Sequence, residues 1–166
     1  MKRIPVAFSF VLLISILIGC RSSHDQESFY PVLANAKKDG AIDRGWIPEF
    51  LPDSSRSIHE VHDLSPSTVW CAFEFDPADA GNLRRNLKSL DSLASSIGRV
   101  TSPDVPWWPK LLQGNLDVRK IQDSGLKLYT VSRPISQVET ETLLVAIDGP
   151  KGRGYFTDTW SGSKSR

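Results

Sequence analysis

Between a Ser-Pro-Ser turn signal at 65–67 and the pair Asp76-Pro77, the chain reads TVWCAFEF (68–75). Val69, Cys71, Phe73 and Phe75 fall on one side of a period-two ribbon, with Trp70, Ala72 and Glu74 on the other. β-branched and aromatic residues bounded by turn formers read as a strand, so this chain must build a sheet around it. RSIHEVHDL (56–64) lies just across the turn and is expected to be its hairpin partner, although Ile58, Val61 and Leu64 are spaced by three. Three further strand-like runs close the chain: LKLYTVSR (126–133), TLLVAID (142–148) and RGYFTDTW (153–160). GPKG joins the last two and has the chemistry of a hairpin turn.

After Phe75 the period changes. Asp76 suits a helix N-cap, Pro77 the first helical position, and Asp79 the third. Leu83, Leu87 and Leu90, extended by Ala94 and Ile97, then mark one helical face, predicting the main helix over 77–97 with Gly98 as its stop. Good helix formers before Asp39-Gly40 predict a short helix over 31–38, ended by Gly40 in the left-handed conformation. Two prolines four residues apart exclude regular structure from GWIPEFLPDS (45–54), whose Trp46, Ile47, Phe50 and Leu51 plug onto the core as an extended arm. Residues 99–125, with Pro103, Pro106 and Pro109, are the least regular part. The expected class is α+β: an antiparallel sheet of about five strands, one main helix on one face, and a short N-terminal helix.

The N-terminus carries a different signal. Lys2 and Arg3 precede an apolar run from Val6 to Ile18, broken by Ser9 and Ser15 and followed by Gly19. That is the layout of a secretory signal peptide. As a helix the run would span only about 20 Å, against a bilayer core of roughly 30 Å. Leu17-Ile18-Gly19-Cys20 resembles the lipobox of bacterial lipoproteins. The resemblance implies that the Cys20 thiol carries diacylglycerol and that the signal is removed before it. Arg at position 21 resembles the pattern sent to the outer membrane. Two or more acyl chains anchor stably where one does not. The expected organisation is a lipoprotein signal peptide at 1–19, a polar tether at 20–29, one globular domain at 30–160 and a disordered tail at 161–166.

Removal of 1–19 leaves 18 basic residues against 19 acidic, a net charge of −1. A nearly neutral body has no field to steer nucleic acid towards it, so no nucleic-acid partner is expected. With Cys20 acylated, Cys71 has no partner. It falls on the more uniformly apolar side of its strand and is expected to be buried and inert.

A second resemblance covers 39–75. Asp39-Gly40, Gly45-Trp46-Ile47-Pro48, Leu51-Pro52, Ile58, Glu60 and Asp63 resemble a block found in small bacterial lipoproteins and membrane-attached proteins of unknown function. It implies a compact envelope domain and carries over no catalytic residue.

Two clusters bear on chemistry. His59, Glu60, His62 and Asp63 place two imidazoles and two carboxylates within five residues. On a strand the two histidines point to opposite faces, and the spacing differs from the helical zinc motif, so the segment reads as a solvated polar strand face and no metal or other cofactor is expected. Trp107-Trp108, braced by prolines, can stack on sugars or anchor a partner; such residues equally serve to cap a core beneath an irregular loop. No serine elbow or phosphate loop is present. The function expected is a non-catalytic binding or accessory domain of the bacterial envelope, held by lipid at Cys20, with an envelope protein or glycan as partner. The alternatives are a small hydrolase or metal-dependent enzyme using residues 59–63, and an immunity or inhibitor protein.

Overall fold

The computed structural model describes residues 25–64, 67–90, 98–134 and 140–158. The expected signal peptide, Cys20, the first part of the expected tether, residues 91–97 of the expected main helix and the tail 161–166 lie outside the described residues.

The expected α+β class is overturned: the protein is mainly β. In chain order come β1 (Asp25–Val32), α1 (Leu33–Asp39), β2 (Arg56–Leu64), β3 (Ser67–Glu74), α2 (Ala80–Arg84), β4 (Lys88–Ser89), β5 (Arg99–Val100), β6 (Gly114–Asn115), α3 (Val118–Asp123), β7 (Lys127–Pro134), β8 (Thr140–Asp148) and β9 (Arg153–Thr157). Seven strands form one antiparallel sheet in the order β1-β2-β3-β9-β8-β7-β4, while β5 and β6 pair separately.

The sheet is covered on both faces. On the first, Tyr30, Ile58, Val69, Cys71, Phe73, Phe75, Val145 and Phe156 meet Leu33, Ala36, Ile47, Leu51, Ala80 and Leu83. On the second, Val61, Trp70, Leu128, Leu144 and Ala146 meet Val100, Trp108, Leu112, Leu116, Val118 and Ile121. Burial on both sides is why VWCAF and LLVAI are unbroken apolar runs rather than alternations.

The expected long helix is replaced by a turn and a corner. Asp76 does cap Pro77, accepting a hydrogen bond from the Ala78 amide. The chain then makes a 3-10 turn, Pro77–Asp79, and enters the short helix α2. The leucine stripe accounts for the difference. Leu83 and Leu87 pack into the first core, but Leu90 packs into the second, and its amide donates to the Leu128 carbonyl at 3.0 Å. Leucines three and four apart thus wrap around the sheet edge at β4 instead of lining one helix.

Residues 25–29, expected in the tether, belong to β1. Beyond it, α1 stops at Gly40 (φ 78°), whose amide donates to Ala36 and Lys37 carbonyls. The arm after α1 does plug the first core, with Ile47 and Leu51 buried.

Gly152 closes the β8–β9 hairpin at φ 61°, and a Cβ there would lie 2.2 Å from the backbone oxygen of Phe75. That strand end cannot yield, because the Phe75 amide donates to the Gly152 carbonyl at 2.8 Å. Gly152→Ala is expected to cost about 2 kcal/mol, read as a lower urea midpoint with unchanged slope.

Candidate functional site

Strand β2 decides what each residue of 59–63 does. Its pairing with β3 slips between Arg56 and His59, a bulge in which Ser57 adopts φ 47°, the one positive φ outside glycine among the described residues. Beyond the bulge, alternation resumes. His59, Val61 and Asp63 turn to the second face, and Ile58, Glu60 and His62 to the first. The four polar residues of the cluster therefore split into two pairs. Among the described residues no three His, Cys, Asp or Glu side chains converge where a metal ion would sit.

Glu60 and His62 contradict the expectation of a solvated strand face. They are 0% and 2% exposed, and His62 Nδ1 lies 2.9 Å from Glu60 Oε1. Trp46 lies over His62, ring centroids 3.6 Å apart and nearly parallel, and the Arg44 guanidinium sits 4.0 Å from the centre of the Trp46 ring. Asp39 fixes Arg44, accepting from Nη2 at 2.7 Å, and also accepts from the Tyr30 hydroxyl at 2.8 Å. Asp39, Trp46 and Glu60, scattered through the block 39–75, are thus linked through Arg44 and His62 over the first core.

Burial sets the protonation there. Desolvation pushes the Glu60 carboxyl up to about 8, against some lowering by Arg44. Desolvation, aided by the Arg44 charge, pushes the His62 imidazole down, with Asp63 acting weakly in the opposite sense. Both shifts favour a pair that carries one proton and no net charge at neutral pH. Cys71 is Glu60's partner across the β2–β3 ladder and is fully buried; desolvation, then the Glu60 carboxylate, pushes its thiol well up. Carboxyl, imidazole and thiol are neighbours, but they are sealed under the Trp46 arm with no thiolate to react.

The second face offers the open site. His59 stands between two rings, Phe29 at 4.8 Å and Trp107 at 5.6 Å between centroids. Trp107 is held by its indole N–H, which donates to Glu27 Oε1 at 2.8 Å. Its neighbour Trp108 is buried, donates to the Leu112 carbonyl at 3.1 Å, and meets Trp107 and Tyr155 edge-on. The tryptophan pair therefore divides: Trp108 caps the second core, and Trp107 stands at its rim.

His59, Trp107 and Tyr155 wall a concavity of about 200 Å³, which Ser57, Glu74 and Arg153 also line. Its floor is Ala72, the Cα partner of both His59 and Tyr155. A small residue between two aromatic rows leaves the hollow, and the covering segment reaches only as far as Trp107. Phe29 extends the aromatic rim outward and is 55% exposed. Glu74 is engaged by Arg56 at 3.5 Å. Larger depressions lie beside the Gly149-Pro150 turn (about 380 Å³) and beneath the proline-rich loop at Trp108 (about 600 Å³). Neither presents a solvent-facing stack of rings.

Sequence reasoning does not find Phe29, Ser57, Arg153 and Tyr155. Phe29 merely opens the apolar run FYPVL (29–33), and nothing in that run singles it out. The others become neighbours of His59 through the β2 bulge and the β3–β9 pairing, which sequence spacing does not reveal.

Comparison with known proteins adds one finding. Residues 24–74, from β1 through β3, match the family described as the YbbD head domain. Neither the curated proteins nor the solved structures contain a match. The matched stretch holds the whole Glu60–His62–Trp46 stack and one wall of the open concavity; Trp107, Arg153 and Tyr155 lie beyond it.

Proposed function

We propose that this chain is a non-catalytic binding domain of a bacterial envelope, anchored by lipid on Cys20 and presenting the Trp107–His59 concavity to its ligand. The observation that carries this reading is the fixed, solvent-facing ring stack. Trp107 is held at both its indole N–H and its face, so binding would cost little side-chain entropy. Aromatic walls around a small floor with a few polar groups are what a preformed site requires. The carboxylate that lines the concavity, Glu74, is already occupied by Arg56. Within 59–63 the closely coupled acid and base are Glu60 and His62, which substrate cannot reach from the second face. That separation weighs against an enzyme built on residues 59–63.

The address rests on the lipobox and on the envelope proteins that the 39–75 block resembles. No helix among the described residues is long and apolar enough to cross a membrane. A lipid on Cys20 supplies the attachment instead, with each buried methylene contributing about 0.8 kcal/mol.

Cys20→Ser in the full chain tests the anchor. Wild-type protein is expected to incorporate labelled palmitate and to sediment with membranes. The variant is expected to lose the label and to leave the membrane fraction. Membrane association that survives the substitution unchanged would overturn the lipid-anchored reading.

A further inference from the structure

We infer that the Trp107–His59–Tyr155 concavity binds an acidic sugar, the pyranose ring against the aromatic walls and its anionic group on Arg153. This rests on the binding reading above and names its ligand class. Three features of the site select that chemistry.

The first is size. A hollow of about 200 Å³ floored by Ala72 is on the scale of a single sugar ring. The second is wall chemistry. Indole and imidazole faces favour the C–H edge of a saturated ring, while the hydroxyls around that ring need polar partners. Ser57 supplies a hydroxyl and Tyr155 a phenol, and neither side chain is hydrogen-bonded to another of the described residues. The third is charge. Arg56, Glu74, Asp148, Lys151 and Arg153 gather at this end of the second face. Glu74 is paired with Arg56 at 3.5 Å and Asp148 with Lys151 at 3.0 Å. Arg153, exposed and opposite Glu74 and Asp148 in the strand register, forms no ion pair among the described residues. A guanidinium free to fork onto two oxygens suits a carboxylate or a phosphate.

The β2 bulge belongs to this design. It places two residues of β2, Ser57 and Ile58, between register points that span a single residue of β3, and Ser57 is one of the residues lining the hollow at φ 47°. Strained backbone and bulges concentrate where a side chain must be re-aimed at a ligand.

The full chain in detergent micelles would be titrated with galacturonic acid trimer, glucose 6-phosphate and neutral maltotriose, following tryptophan fluorescence and heat. At least one acidic sugar is expected to bind ten times or more tightly than maltotriose, with an affinity that falls as salt rises. Which acid binds identifies the anionic group. Arg153→Ala is expected to reduce acidic-sugar binding to the neutral level, with Arg153→Lys retaining part of it. Trp107→Ala should abolish binding of every sugar, and Trp107→Phe should restore some of it, which separates a lost stacking face from a lost fold. Equal binding of acidic and neutral sugars, or no effect of Arg153→Ala, would overturn the inference, as would no sugar binding at all. If no sugar binds yet Trp107→Ala still abolishes retention of the membrane-anchored chain on isolated envelopes, the ligand class is wrong and the binding-domain reading stands.

Discussion

Wild-type protein is expected to lose about 2 kcal/mol of stability between pH 6.5 and pH 8 that Glu60→Gln does not lose. The sign follows from proton counting. Unfolded, Glu60 titrates near 4.5 and His62 near 6.5. Above pH 6.5 the unfolded pair therefore holds no proton, whereas the folded pair keeps one until about pH 8. Stability must fall as pH rises through that window, at about 1.4 kcal/mol per pH unit. Below pH 6.5 the depressed imidazole contributes the opposite slope, because the unfolded histidine takes up a proton that the buried one resists. The two slopes oppose each other, and the curve levels. Asp158, also raised by burial, to about 7, adds a loss of the same sign as Glu60 but does so equally in both proteins. Urea unfolding of the pair of proteins at half-unit pH steps measures the difference. Parallel curves would mean that Glu60 is ionised in the folded protein at neutral pH. His62→Ala should be more damaging at every pH, by about 3–5 kcal/mol, since it removes the carboxyl's partner and the ring on which Trp46 stacks.

Adjacent tryptophans are expected to respond in opposite ways. Trp108→Ala should destabilise the protein by about 3–5 kcal/mol, because Trp108 is 3% exposed and its ring fills the second core between Leu112 and Tyr155. Trp107→Ala should cost about 1 kcal/mol or less, since its ring is only partly buried and rests on His59. Binding should show the reverse ranking: the folded Trp107→Ala protein loses its ligand, and any Trp108→Ala protein that remains folded retains part of it. Denaturant midpoints and retention on isolated envelopes give the two readings on the same samples. A Trp107→Ala chain that unfolds, or that binds as well as wild type, would show that both indoles are merely core.

Much of the sheet was legible because strand signals are local. Val69–Phe75 gathers β-branched and aromatic residues within seven positions, and GPKG makes its turn within four. The stop at Gly40 was equally readable, since only a left-handed residue closes that helix. Local signals failed where the same pattern serves two geometries. Leu83, Leu87 and Leu90 satisfy a helical stripe, yet they divide between two cores around an edge. Asp25–Val32 is polar over its first four residues and becomes a strand because β2 offers backbone partners along its length.

The candidate sites divide along the same line. His59 and His62 were placed on opposite faces by period two alone, and that placement holds in the sheet. Whether either face met water was beyond sequence, because exposure depends on what a distant segment covers. The Trp46 arm seals Glu60 and His62, and residues 98–126 stop at Trp107 and leave His59 open. Local pattern was enough for β2, β3, β7, β8 and β9 and for the alternation of faces along β2. Tertiary structure alone decided which charges are buried and which rings meet around Ala72, because those contacts join residues as far apart as Glu27 and Trp107, 80 positions along the chain, a distance over which no periodicity carries information.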